Sequence, residues 1–325
     1  MKSVCKDMLM AVFMGMILPG VLLNAAVMVL ERKEKTETIQ VLAAQEPQWE
    51  KLTIRILDPD GSTEERDMDD YLVGVVLAEM PASFEIEALK AQAVAARTYA
   101  RKAGETGGKH GDGSVCMRAG CCQAYITEED YLSKGGTLAG IEKIRSAVNE
   151  TRGLVLTYDG ELIEATYFSC SGGRTEDAAA VWGTDFPYLR AVTSPGEETA
   201  DVFVATASFT PQEFQNALGT NLEGKTESWF GETTYTDGGG VEKMEIGGRI
   251  YTGTQLRSLL NLRSTAFSVS VSDENIITIT TKGYGHRVGM SQYGADAMAV
   301  SGSSYEAILA HYYPGTQISK VSPGS

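Results

Sequence analysis

Positive charge is scarce in this chain. Its 325 residues hold 28 lysines and arginines against 43 aspartates and glutamates, a net charge of −15. Such a surface repels phosphate backbones, which excludes a nucleic-acid partner. There is no internal repeat, so a solenoid or propeller is excluded. Cysteines are few and odd in number: Cys5, Cys116, Cys121, Cys122 and Cys170. Three of them fall between positions 116 and 122, unlike the even, dispersed set of a secreted disulfide framework. No organic cofactor is expected.

What is present is a globular composition, 43% hydrophobic and 22% charged, long enough for one large domain or two ordinary ones. Residues 8–30 carry no charge. As a helix this segment reaches about 34 Å, enough for a hydrocarbon core of about 30 Å. A cleaved signal peptide is the rival reading, but Leu23-Asn24-Ala25-Ala26 is a poor cleavage site. Residues 1–30 are therefore expected to form a cytoplasmic tip and transmembrane signal anchor, with a polar stalk at 31–50. Lys2 and Lys6 on one flank and Arg32, Lys33 and Lys35 on the other leave the orientation open.

Beyond the stalk the pattern is α+β: a mixed core of strands and helices with a smaller inserted region. The core is expected at 51–204 and 264–325. The turn-rich stretch 205–263 is expected to be an inserted variable region. Thr53–Leu57 reads as a strand. A helix starts at Asp69 and Asp70 and ends before Pro81. A second, alanine-rich helix runs from about Glu85 to Lys102, with Gly104 as its stop. Leu154–Tyr158 and Leu162–Phe168 form a hairpin through Asp159-Gly160. Ile276–Thr281 is a strand, and helices cover about Ser291–Val300 and Tyr305–Tyr312.

Three groups of residues could carry chemistry. Glu79 is the only charged residue between Leu72 and Phe84. It ends a helix among apolar neighbours, and both the helix dipole and desolvation disfavour its ionised form. It is a general acid or a solvated glutamate at a helix end. Arg97, on the next helix, orients a substrate, pairs with Glu79 or forms a surface ion pair. His110, Cys116, Cys121 and Cys122 have the ligand types of a tetrahedral zinc site, Cys121 being the weakest member; a disulfide such as Cys116–Cys122 is the alternative. With all four bound, such a site is closed and structural. The glycine-rich segment 283–295 offers His286, Ser291, Gln292 and Tyr293 as proton carrier, hydrogen-bond partners and sugar-stacking ring. A tight turn leading into a helix, with a satisfied core histidine, is its plainer reading. The loop from Phe168 to Asp177 is similar in kind. Cys170 within it is a small buried residue or the nucleophile of a pair with His286 or His311.

Four motifs resemble the SpoIID/LytB family, in order, between Leu52 and Gly315. They are Leu77-Ala78-Glu79-Met80-Pro81 with Ala96-Arg97-Thr98-Tyr99-Ala100, then Phe168-Ser169-x-Ser171-Gly172-Gly173, then Gly285-His286-x-Val288-Gly289-Met290-Ser291-Gln292, and Tyr312-Tyr313-Pro314-Gly315. The resemblance implies a lytic transglycosylase. It would cleave MurNAc–GlcNAc bonds of peptidoglycan strands denuded by a cell-wall amidase, during spore engulfment. It implies a mother-cell membrane location facing the forespore, with a membrane partner in the engulfment complex. Glu79 maps to the catalytic glutamate. The arginine of the family's following helix maps to Arg97, and Arg97, Ser169, Ser171, His286, Ser291, Gln292 and Tyr293 are the expected substrate-binding residues. The His110, Cys116 and Cys122 cluster resembles the zinc-bearing clostridial branch, which has histidine where this chain has Cys121. Some relatives are amidase enhancers, so a non-catalytic glycan-binding role is the alternative. A zinc hydrolase is a third reading.

Overall fold

The computed structural model describes residues 52–321. The expected anchor at 8–30, the stalk at 31–50 and Cys5 lie outside the described residues. Among the described residues no helix is long and apolar enough to cross a membrane.

The chain opens with an antiparallel hairpin, β1 (Thr53–Leu57) and β2 (Thr63–Asp67). Helix α1 (Met68–Glu79) follows at once. Its cap is Asp67, whose side chain accepts from the Asp69 and Asp70 backbones, so the helix starts just ahead of the expected caps. It stops because Met80 is extended ahead of Pro81. Helix α2 (Ile86–Thr106) outruns its expected end: Gly104 lies inside it, and Gly107 closes it at φ 86°. Ala88, Ala91, Ala93, Ala95, Ala96 and Ala100 are all buried on α2. Their small side chains let neighbours lie close against it on several sides.

Those neighbours come from both ends of the chain. Strand β3 (Val115–Cys116) pairs parallel with β1. Helices α3 (Glu128–Ser133) and α4 (Leu138–Glu150), which no periodicity argument had marked, lie beyond it, and α4 packs on α1 and α2. Strand β4 (Leu154–Tyr158) turns through Asp159 and Gly160, both left-handed, into the short β5 (Glu161–Leu162). The expected hairpin ends there. The next strand, β6 (Tyr167–Phe168), leaves that sheet and pairs elsewhere, and α5 (Ala178–Trp182) follows.

A second core begins at β7 (Val204–Phe209). It continues through α6 (Pro211–Leu218), β8 (Phe230–Tyr235), β9 (Val241–Ile246), β10 (Arg249–Thr252), α7 (Gly253–Leu259), β11 (Phe267–Val271) and β12 (Ile277–Lys282). Its buried cluster runs from Phe214 to Ile279, around Trp229, Met244 and Leu256. Strands β11 and β12 thus pack with the 205–263 stretch, and the packing does not divide at 263/264. The cause is pairing: β7 and β11 both bond to β12.

The chain then returns to the first core. Strand β13 (Met290–Ser291) pairs parallel with β6; α8 (Gln292–Val300) and α9 (Tyr305–Tyr312) pack on α2; β14 (Gln317–Lys320) pairs with β4. The two cores are tied by a buried ion pair. Arg287 Nη1 lies 3.0 Å from Glu176 Oε1, which also accepts from Gly240 N at 2.9 Å and Thr236 Oγ1 at 2.9 Å. A Cβ on Gly240 would come within 2.3 Å of that oxygen, so only glycine fits.

Candidate active site

Glu79 ends α1 in a cleft of about 770 Å³. The cleft lies between the α1–α2 turn and the α3–α4 connection, with Lys134 and Lys143 on its far wall. Among the described residues that line it, Glu79 is the only acid. The carboxylate is half-buried, and burial raises its pKa above the usual glutamate value. Two donors oppose the shift: Ala124 N–H to Oε1 at 2.8 Å and Gln292 Nε2 to Oε2 at 3.2 Å. Beneath it lies a polar relay. Tyr71 donates to Gln123 Oε1 at 3.1 Å, and Gln123 Nε2 donates to the Tyr167 hydroxyl at 2.7 Å.

Ala124 and Gln123 stand directly after the cysteine cluster. Cys121 Sγ and Cys122 Sγ lie 3.8 Å and 3.5 Å from His110 Nε2, and 4.0 Å from each other. With Cys116 Sγ, the ligand atoms all fall within 4.8 Å of one another. A zinc–sulfur bond of about 2.3 Å implies tetrahedral S···S edges of about 3.8 Å, so the set fits one ion, Cys121 included. All four cysteines among the described residues are free, so no disulfide competes. Burial pushes the Cys116 thiol up, but hydrogen bonds to Arg118, His110 and Cys121 outweigh it and bring it to about 6.

Other candidates fall elsewhere. Arg97 is 0% exposed and does not meet Glu79. Its guanidinium donates to the carbonyls of Val148, Thr151 and Leu154 and pairs with Asp69 at 3.1 Å. It closes the α4 C-terminus against α2, so the expectation of a substrate contact is corrected: no part of it reaches the cleft surface. Ser171 and Ser291 are likewise fully buried, where glycan contact was expected. Both donate to Glu197, which also takes the N–H groups of Gly172 at 3.0 Å and Gly173 at 3.3 Å and Ser194 Oγ at 2.9 Å. Ser169 contributes its carbonyl, which accepts from Tyr293 N at 3.0 Å. The Tyr293 ring stands edge-on to Phe84 at 5.0 Å.

His286 sits between Phe168 and Trp182 and accepts from Val288 N–H at 3.1 Å. Burial lowers its pKa to about 4, so it is neutral near pH 7 and is no proton carrier there. Cys170 lies against Glu197, at 3.5 Å, and burial pushes its thiol up to about 12. His311 bonds the Thr193 carbonyl. Among the described residues, Cys170 forms no pair with His286 or His311. The sequence assigned no site role to Ala124, Gln123, Tyr71, Tyr167 and Glu197. A backbone N–H leaves no signature in residue type, and the others act through partners far away in the chain.

Comparison with known proteins identifies the family. The family profile described as stage II sporulation protein matches residues 61–158, the stretch from β2 through α1, α2 and the cysteine cluster to β4. The chain is 40% identical over 264 residues to stage II sporulation protein D of Bacillus subtilis, covering 80% of this chain and 76% of that protein. It is equally similar, over the same shares, to stage II sporulation protein D of Bacillus amyloliquefaciens. It is 30% identical to an amidase enhancer of Bacillus subtilis, over 76% of this chain and 40% of that protein. Identity of this level across most of both chains leaves one conclusion: the chain belongs to the SpoIID family.

Proposed function

We propose that this protein is a peptidoglycan lytic transglycosylase that cuts denuded glycan strands during spore engulfment. The observation that carries the reading is Glu79, a half-buried carboxyl of raised pKa and the only acid among the described residues lining its cleft. Ordinary glycosidases need two carboxylates about 5–9.5 Å apart, one of them serving water or the sugar. A lytic transglycosylase needs one. Protonated Glu79 gives its proton to the glycosidic oxygen as the bond from MurNAc C1 breaks. The resulting carboxylate takes the proton from the C6 hydroxyl of the same MurNAc, whose oxygen bonds to C1 and closes a 1,6-anhydro ring. Glu79 ends protonated again. The nucleophile is tethered to the reacting sugar, so it needs no separate capture. Ala124 N–H and the Gln292 amide hold the carboxylate in place for both transfers.

The cysteine cluster supports a structural zinc. His110, Cys116, Cys121 and Cys122 would hold it and leave no open position for chemistry. Its work would be to fix Cys122, and with it Gln123 and Ala124, against Glu79. Metal analysis should find one zinc per chain, and chelation should lower thermal stability; a metal-free native chain sinks this part.

Purified protein should release anhydro-ended fragments from denuded strands, and Glu79→Ala should not. Equal product from both would overturn the reading. The likeness to an amidase enhancer favours one alternative, a non-catalytic glycan-binding partner of an amidase. That role predicts stimulation of the amidase that survives Glu79→Ala. For location, we propose that residues 8–30 anchor the chain with its folded part outside the cytoplasm. A chain starting at residue 31 should then leave the membrane fraction, and retention there would refute the anchor.

A further inference from the structure

The net charge of −15 makes this chain a poor surface for any anion. Two arginines of the second core run against that trend. Arg257, in α7, is half-buried, and Arg263 just beyond is exposed; neither has a carboxylate partner among the described residues. The Arg263 guanidinium lies over the Tyr284 ring, 5.4 Å from its centroid. Arg257 is close enough for its charge to act on both Tyr284 and His286. Tyr284 is 45% exposed. The His286 ring meets Trp182 at 5.2 Å, and Trp182 is 43% exposed.

Exposed rings interleaved with uncompensated arginines have a specific chemistry. Pyranose rings offer C–H faces that cover an aromatic side chain, while guanidinium groups take carboxylates with two parallel hydrogen bonds. The patch is linked to the Glu79 site through the interior of the first core. Phe168, edge-on to His286 at 5.5 Å, follows Tyr167 in β6, and Tyr167 accepts from Gln123 beside Ala124.

We propose that Trp182, Tyr284, Arg257 and Arg263 form a distal glycan subsite in which the arginines take the lactyl carboxylate of MurNAc. This rests on the glycan reading of the Glu79 cleft. A MurNAc still bearing its stem peptide has that carboxyl locked in an amide and offers no anion. The subsite therefore selects denuded strands, and it does so from a part of the fold separate from the acid.

The test uses the full-length chain carrying Glu79→Gln, so that binding is read without turnover. Its two ligands are a MurNAc–GlcNAc oligosaccharide with free lactyl carboxylates and a chitooligosaccharide of equal length. The first should bind about tenfold more tightly, the equivalent of about 1.4 kcal/mol. Adding Arg257→Gln and Arg263→Gln should erase that preference and leave the chitooligosaccharide unchanged, whereas Arg→Lys at both should keep part of it. Trp182→Ala should weaken both ligands. The proposal is overturned if the parent shows no preference, or if the glutamine pair weakens both ligands alike or neither. The two readings fail separately. Without anhydro products but with an arginine-dependent preference, the catalytic reading falls and the subsite stands. With anhydro products and no such preference, the subsite alone falls.

Discussion

Glu79 and Glu197 are both withdrawn from water, in neighbouring regions of the first core, and they are held in opposite ways. Glu197 is 1% exposed and sits in a nest of donors: the N–H groups of Ser171, Gly172 and Gly173 and the hydroxyls of Ser171, Ser194 and Ser291. Glu79 is half-buried and has two donors, one from a backbone and one from an amide. A carboxylate wrapped in donors has its hydrogen-bonding capacity met and stabilises the fold. One given too few donors is left with an unmet need, which a proton or a sugar hydroxyl can fill. On the proposed reading, reactivity here follows from what the fold withholds.

The sharpest way to break this contrast is to neutralise Glu79. Glu79→Gln should cut anhydro-product formation roughly a thousandfold, since one group serves as both acid and base, with no loss of thermal stability. Residual activity within tenfold of the parent would show that Glu79 is no more reactive than Glu197. The reverse pattern is expected of Glu197→Ala. Its donors would lose their acceptor inside the core, which should cost about 3 kcal/mol of stability in denaturant unfolding. A loss below about 1 kcal/mol would show that the nest carries no stability.

A smaller effect should follow from Gln292→Ala. It removes one of the two donors that favour ionised Glu79 and loosens the carboxylate, for about a fivefold loss of rate, the equivalent of about 1 kcal/mol. It should also move the pH at which activity falls upward, because the donor lowers the pKa. An unshifted profile would mean that the amide does not touch the working group.

The subtlest prediction concerns stability and pH. The first step needs protonated Glu79, so activity should fall as pH rises through its raised pKa. Folding has the matching sign. Burial favours the protonated form in the folded state, so Glu79 contributes stability below the ordinary glutamate pKa and loses it as pH rises through the raised folded value. Glu79→Gln should therefore gain stability over the parent across that window and match it below. A gap that is constant with pH would exclude the linkage.

Much of the first core was legible because its signals are local. Alanine spacing marks α2, Pro81 marks the end of α1, and the cysteines mark their own cluster. The site resisted where meaning depends on distant partners. Arg97 carries the same charge whether it meets a sugar or a helix end, and only the carbonyls of Val148, Thr151 and Leu154 decide it. Glu197 lies beside Glu198 in an unremarkable acidic turn, and its donors come from three separate loops. The packing of β11 and β12 was not legible because they alternate like any strands, and only pairing with β7 shows where they belong.

Gln292 reaches Glu79 across 213 positions of sequence. A chain emerging from the ribosome carries its acid early and receives the amide only after the whole second core has been made. Closing so long a span is slow and weakly rewarded until the last helices dock on α2. Unfinished or truncated copies therefore hold Glu79 without its clamp. On the proposed reading, the acid stays without its amide partner until the residues after the second core have been made.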